Sequence, residues 1–545
     1  MKALSNALDR MVKVAACEGG SPEDHAAVAQ LLQLAVERFG SFDAWALVSF
    51  IRCAAAFKGL LQPQQLAAWQ VAVQGSGAVC HMKPQGVSNA LLSLGTLAYA
   101  DERLAQQVSK QLAWRLLERA VHLVRKRGQK AAASADSEQA RHAASVLYGV
   151  ALLLLRPSQE QVVALLDAVR PHLQRHATDQ QGDAELSWHG GREQAAGFNV
   201  VSATQLVHAL AKLIDAQTTA APEPGANPFK MYYDAELLDD LLHVVVAQQP
   251  DGQCVSQIVG ALGMLRHVPQ PAIWQRLVSG AMSAACLWLH AWLVGCAWLG
   301  RNPGPKAIRA CLEAVERDGG SRQLANVVWA TAVLQACDLG TWSRLVARGE
   351  GAVLELPDVG LVQWATAYRH MQLQHGSSIP RPPELLQRSL AAQAAALKQM
   401  KWHPSQFERA LAAAVQQLAA GQEVQPGYIA TGCNGQPLAL VDVALPQLRI
   451  AVEAVGPTHF LRNGGSRDAV QPQLNGPTQG RISLLQGAGW LVVSVPYAAA
   501  WDPMFEGSIR PSQEQLVAGL LQYLHDHTPL LAALRERSAV PASAA

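Results

Sequence analysis

Residues 321–335 read SRQLANVVWATAVLQ. A polar opening is followed by apolar residues at helical spacing around a core of small residues, which predicts a helix with one buried face. Stretches of the same character recur. They are FDAWALVSFIRCAAAF from Phe42, KPQGVSNALLSLGTLAY from Lys83, VSATQLVHALAKL from Val201, VSQIVGALGMLRHV from Val255, PDVGLVQWATAYRHM from Pro357 and HPSQFERALAAAVQQL from His403. Leu324 and Leu361 are 37 residues apart, and Leu361 and Phe407 are 46 apart. That irregular period suits a repeat built from a pair of helices. One pair cannot bury its own apolar face, so pairs are expected to stack into an α-solenoid with one long concave surface. The chain up to residue 420 therefore reads as mostly α, with helical repeats over 1–197 and again over 198–420. Breaks are expected near 128–140, 179–197, 215–228 and 372–383, where polar residues, Pro and Gly gather.

After Gly421 the pattern changes. VDVALP (441–446) alternates, LRIAVEAVG (448–456) reads as a buried strand, LNGPTQGRISLLQGAG (474–489) as a turn and helix, and WLVVSVPYAAAW (490–501) as a strand and turn. This order predicts a small α/β domain over 426–525, followed by a tail over 526–545.

The bulk numbers set limits. The chain has 545 residues, 50% of them hydrophobic and 16% charged, with a net charge of +2. Such a balance excludes long disorder and gives no general electrostatic case for nucleic acid. Nine scattered cysteines form no C-x-x-C pair or zinc-finger spacing, so buried reduced thiols are expected and no metal or cofactor. Residues 281–300, AMSAACLWLHAWLVGCAWLG, are long enough to span a bilayer. His290 and three spread tryptophans favour two packed helices instead, so no membrane span is expected. The first twenty residues lack the apolar core of a secretory signal and are poor in the Arg and Ser of a transit peptide.

The 321–335 stretch resembles the octotricopeptide repeats of green-algal organellar RNA proteins through Gln323, Leu324, Asn326, Trp329, Ala330, Ala332 and Leu334. The helical region also resembles the FAST-type leucine-rich regions of mitochondrial RNA proteins. The C-terminal part closely resembles the RAP domain. The residues that carry this likeness are Asp442, Val452-Glu453, Gly456-Pro457, His459-Phe460, Leu474-Asn475-Gly476, Thr478, Gly489-Trp490, Val492-Val493, Val495-Pro496-Tyr497 and Trp501. The resemblance implies an organellar RNA-binding protein, in chloroplast or mitochondrion, that acts in processing, stability or translation of transcripts or ribosomal RNA. It also implies a fold like that of restriction-type nucleases, in which two carboxylates hold a metal and a lysine stabilises charge. Asp442 and Glu453 would be those carboxylates. The lysine slot holds Val455, so the site is expected to be vestigial and the protein not an enzyme.

Candidate RNA contacts follow. His459, Phe460, Tyr497 and Trp501 offer stacking surfaces, and Arg462, Asn463, Asn475 and Arg481 offer polar contacts to single-stranded RNA. In the 113–130 stretch, AWRLLERAVHLVRKRGQK, Arg115, Arg119, His122 and Lys126 share one helix face that suits phosphates. Two other readings stay open. One is a protein-interaction scaffold in an organellar ribonucleoprotein granule, which the near-neutral charge favours. The other is a metal-dependent RNA endonuclease centred on Asp442 and Glu453.

Overall fold

A computed structural model describes residues 2–18, 21–128, 137–173, 198–219, 233–283, 289–379, 383–400, 402–462, 473–497 and 511–538. The protein is mostly helical, with a small four-stranded mixed sheet near its C-terminus. It divides into two compact units, Met1–Leu265 with Pro269–Ala284, and Arg266–Val268 with Ala285–Ala545.

In the first unit, one set of helices packs in chain order. It runs α1 (Lys2–Glu18), α2 (Ala44–Ala56), α3 (Pro84–Ala100), α4 (Ser137–Leu152), α5 (Val200–Thr219) and α6 (Gly252–Leu265), each against the next. Four of them, α2, α3, α5 and α6, are apolar stretches picked out by period, and α1 and α4 join them. Their cores hold small residues because the helices approach closely. A Cβ on Gly149 would lie 2.6 Å from the backbone of Leu91 in α3, and one on Gly95 would lie 2.8 Å from the carbonyl oxygen of Gly149. The obstacle is backbone, which cannot rotate away. Gly149→Ala is expected to destabilise this unit by about 1–3 kcal/mol, the usual range for overpacking, despite alanine's better helix propensity. An unchanged melting transition would show that the α3–α4 crossing can open freely.

The second unit continues the scheme with α7 (Leu289–Leu299), α8 (Ser321–Val333), α9 (Asp358–His375) and α10 (Glu384–Gln399), each packed on the next. The ends of several of these helices are alike. Leu154 after α4, Gly300 after α7 and Gln335 after α8 all have positive φ. Each is followed by an amide that reaches back five residues, Leu155 to Val150, Arg301 to Cys296 and Ala336 to Thr331. This closure satisfies carbonyls that a helix end leaves without partners. Leucine and glutamine hold a conformation that glycine would adopt at less cost, so sequence alone does not mark these ends. Among the described residues no helix is long and apolar enough to cross a membrane. The 281–300 stretch contains the end of one helix and all of α7.

The sheet runs β1 (Gln425–Thr431), β2 (Pro437–Leu445), β3 (Ile450–Val455) and β4 (Leu491–Pro496), in that order across the sheet. The first three are antiparallel neighbours, and β4 lies parallel to β3. Helix α12 (Gly476–Gly487) makes the crossover between them. β3 is buried along its whole length, as its near-continuous apolar sequence requires. Its alternate residues serve two cores. Ile450, Val452 and Ala454 face a cluster with α11 (Gln406–Leu418), α13 (Gln513–His527) and α14 (Leu530–Ser538). Ala451 packs with Leu484, Leu485 and Trp490 on the α12 side.

Three expectations change here. A strand, β1, precedes the expected pair and forms a hairpin with β2 around Asn434 and Gly435 (φ +74°). The 403–418 stretch, read as a further repeat, gives Phe407, Ala410, Leu411, Ala414 and Val415 to the sheet's core. The expected tail over 526–545 includes α14, whose Leu530, Ala533 and Leu534 are buried in that same core. An amphipathic helix has the same periodicity whether its apolar stripe meets a helix or a sheet.

Candidate ligand site in the C-terminal unit

Asp442 and Glu453 do come together. The β2–β3 ladder stops at Val443 and Val452. Beyond it, the Ala454 amide donates to Asp442 Oδ2 at 2.8 Å, so a side chain takes the place of the next backbone bond. Glu453 lies on the α12 side of β3 and is only 1% exposed. Arg481, from α12, donates to its Oε2 at 2.8 Å. Burial pushes Glu453 up to about 8, with Asp442 and Glu408 adding to the rise and Arg481 opposing it. As an ion, Glu453 would leave its Oε1 without a donor. As an acid it has a proton to give, and the Asp442 carboxylate beside it is the acceptor. Val455, two residues after Glu453, is 2% exposed and apolar, so it supplies no charge.

The N-terminus of α12 is fastened to the turn after β3. Asn475 caps the helix through Oδ1, which accepts from the Thr478 amide at 3.0 Å, while its Nδ2 donates to the Thr458 carbonyl at 3.0 Å. It is 2% exposed, so this residue, expected to contact RNA, is committed to holding the turn. His459 shares a 3.1 Å hydrogen bond with Thr478 Oγ1. Burial lowers it to about 4, and Arg481 and Arg266 add to that. It is therefore neutral at pH 7, and this bond at the ring edge fixes how the ring is turned. Gly476, next in the motif, meets the carbonyl oxygen of Ala297 at the end of α7 so closely that any Cβ would collide with it.

The other expected contacts are spread out. Phe460 is half-buried and bridges to Leu474. The Arg462 amide donates to the Arg266 carbonyl at 2.9 Å. Tyr497 packs edge-on against Phe407, with ring centroids 5.1 Å apart, so it is an anchor of the sheet's core rather than an open platform. Asn463 and Trp501 lie outside the described residues. In the first unit, Arg115 is half-buried and His122 and Lys126 are exposed on helix Lys110–Gly128. Arg119 donates to the Met82 carbonyl at 3.4 Å, and Arg125 pairs with Glu160 at 2.6 Å, which reduces the charge free for phosphate.

Sequence reasoning missed a cavity of about 340 Å³ beside the acidic pair. Trp329, Val333, Thr366, His370, Leu397 and Met400 line it from α8, α9 and the end of α10, and Leu438, Ala439, Leu440, Asp442, Pro477 and Arg481 line it from β2 and α12. Burial lowers His370 to about 4, so it is neutral. Trp329 belongs to the stretch that resembles an octotricopeptide repeat, a signal that marked a repeat and not a site. Nothing in the local sequence marks His370 or Met400. Among the described residues, no group of three or more His, Cys, Asp or Glu is arranged to hold a metal.

Compared with known proteins, the chain matches no protein-family model, and the curated proteins contain no match to it.

Proposed function

We propose that this chain is an organellar RNA-binding protein acting in RNA processing, stability or translation, including ribosomal RNA maturation, without catalysis of its own. On this reading the helix pairs form an α-solenoid that carries single-stranded RNA, in chloroplast or mitochondrion. The C-terminal sheet is then a RAP-type, restriction-endonuclease-like domain that positions the RNA. One observation carries the reading. Trp329 from the octotricopeptide-like stretch, and Asp442 and Arg481 from the RAP-like part, line a single cavity. Two separate sequence likenesses thus converge on one place. The absence of catalysis is argued from Glu453, which is buried and held by Arg481, and from Val455. A scaffold in a ribonucleoprotein granule is the second reading, favoured by the engagement of Arg119 and Arg125 within the fold.

Binding of the purified chain to a pool of organellar RNA, at about 50 and about 200 mM salt, tests this. Each phosphate contact to a single strand steepens the log–log salt slope by about 0.7. Salt-dependent retention of intact RNA, with or without magnesium, is the expected result. Magnesium-dependent cleavage lost in Asp442→Ala would establish a nuclease instead. No binding at low salt would leave the scaffold.

A further inference from the structure

The cavity beside Asp442 has the chemistry to select a ligand. Its size, about 340 Å³, lies at the low end of the range of about 300–1,000 Å³ for small-molecule sites, which suits one base or nucleoside. Its wall is largely apolar, from Val333, Leu397, Leu438 and Pro477, with Trp329 as the aromatic surface. Its polar groups are few. Asp442 brings carboxylate oxygens, and Arg481 is 31% exposed with N–H groups beyond the one bonded to Glu453. His370, neutral and 3% exposed, brings no charge.

A phosphate is a poor occupant. Its charge would meet Asp442, and the one cation present already serves Glu453. A neutral flat ring with donors next to an acceptor is a good one. Guanine has that edge, because N1–H and the N2 amino group donate side by side and O6 accepts. Adenine offers an acceptor at N1 where guanine has a donor, and cytosine and uracil lack two adjacent donors. We infer that this cavity takes a single unpaired guanine base, with Asp442 accepting from its N1–H and N2 amino group, Arg481 donating to O6, and Trp329 contacting the ring. The source of the guanine, a base splayed from single-stranded RNA, rests on the reading of the chain as an RNA binder. The base chemistry does not.

Equilibrium dialysis of the full chain against guanosine, inosine and adenosine tests the site, with titration of a U-rich 12-mer bearing one central guanine or one central adenine. Guanosine is expected to bind at least tenfold more tightly than adenosine. Inosine, which lacks the N2 amino group, should fall between them. Asp442→Asn can still accept from the Ala454 amide, yet it places a donor against guanine's donors. It should abolish the preference for guanine over adenine. Met400→Trp, at a cavity-lining side chain 59% exposed, should lower guanosine affinity with Asp442 intact. A guanine preference in both arms supports RNA as the source. A preference for guanosine but not for the guanine 12-mer keeps the site and assigns it a free nucleoside. Equal binding of the nucleosides, no guanosine binding, or a preference that survives Asp442→Asn overturns the inference. Equal binding of the nucleosides together with RNA binding that ignores base identity would do so while leaving the proposed function standing.

Discussion

Gly476→Ala is expected to loosen the C-terminal domain from the helices beneath it. The added Cβ would lie inside the contact radius of the Ala297 carbonyl oxygen, and a backbone group cannot swing aside as a side-chain end can. Either the last turn of α7 or the first turn of α12 has to move. The same helix brings Gly480 against His370, where a Cβ would lie 3.5 Å from Nε2, and Gly487 against Leu373, where one would lie 2.9 Å from Cδ1. These glycines lower the helix propensity of α12, and their use is close approach. Overpacking costs about 1–3 kcal/mol in ordinary cores, and this collision should exceed that range. The expected results are a lower melting temperature and faster amide exchange in both α7 and α12. The guanine-dependent part of binding should fall too, because Pro477 and Arg481 line the cavity from this helix. Wild-type exchange rates in α7 would disprove the close approach.

Raising the pH should destabilise the C-terminal unit between about 6.5 and 8, and Glu453→Gln should remove most of that slope. In the folded protein Glu453 holds its proton up to about 8, while in the unfolded chain it loses it near the ordinary value of 4.5. Between these values the native state binds more protons, so its stability is fully present below the unfolded value and is lost as pH rises through the folded one. His370 and His459, lowered to about 4, act in the opposite sense. Their neutral forms stabilise the fold above about 6.5, and that contribution is lost as pH falls toward 4. Above 6.5 only the Glu453 effect remains among these three. At about 1.4 kcal/mol per pH unit, it amounts to about 2 kcal/mol across the window. The groups facing it are Asp442, Arg481 and Glu408, and Asp442 and Glu408 each work to retain the proton. A melting temperature that is flat from pH 6.5 to 8.5, or a slope unchanged in Glu453→Gln, would mean that Glu453 does not hold its proton in this window.

Much of the fold was legible in the sequence because it is written in local periodicity. The helical stretches from Phe42 to Pro357 fold as helices, and the β3, α12 and β4 segments appear in the expected order. β1 was missed although Asn434-Gly435 is a hairpin signal, since the flanking alternation is weak. The meeting of Asp442 with Glu453 was expected only from the likeness to restriction-type nucleases, and the antiparallel β2–β3 pair brings their strands side by side.

Where periodicity ends, the tertiary structure decided. Whether the apolar stripe of 403–418 meets a helix or a sheet depends on which surface lacks a cover, and Phe407 and Leu411 ended in the sheet's core. Asn475 and Tyr497 look like free polar and aromatic groups in the sequence. One became a cap and the other an anchor, because burial requires every polar group to find a partner and every ring a neighbour. The cavity is the clearest case. Trp329 and Asp442 are more than a hundred residues apart, and only the packing of α8, α9, β2 and α12 brings them to one wall. Sequence determines which faces are apolar through short-range spacing, whereas the distances that make a site come from long-range closure, which no local pattern records.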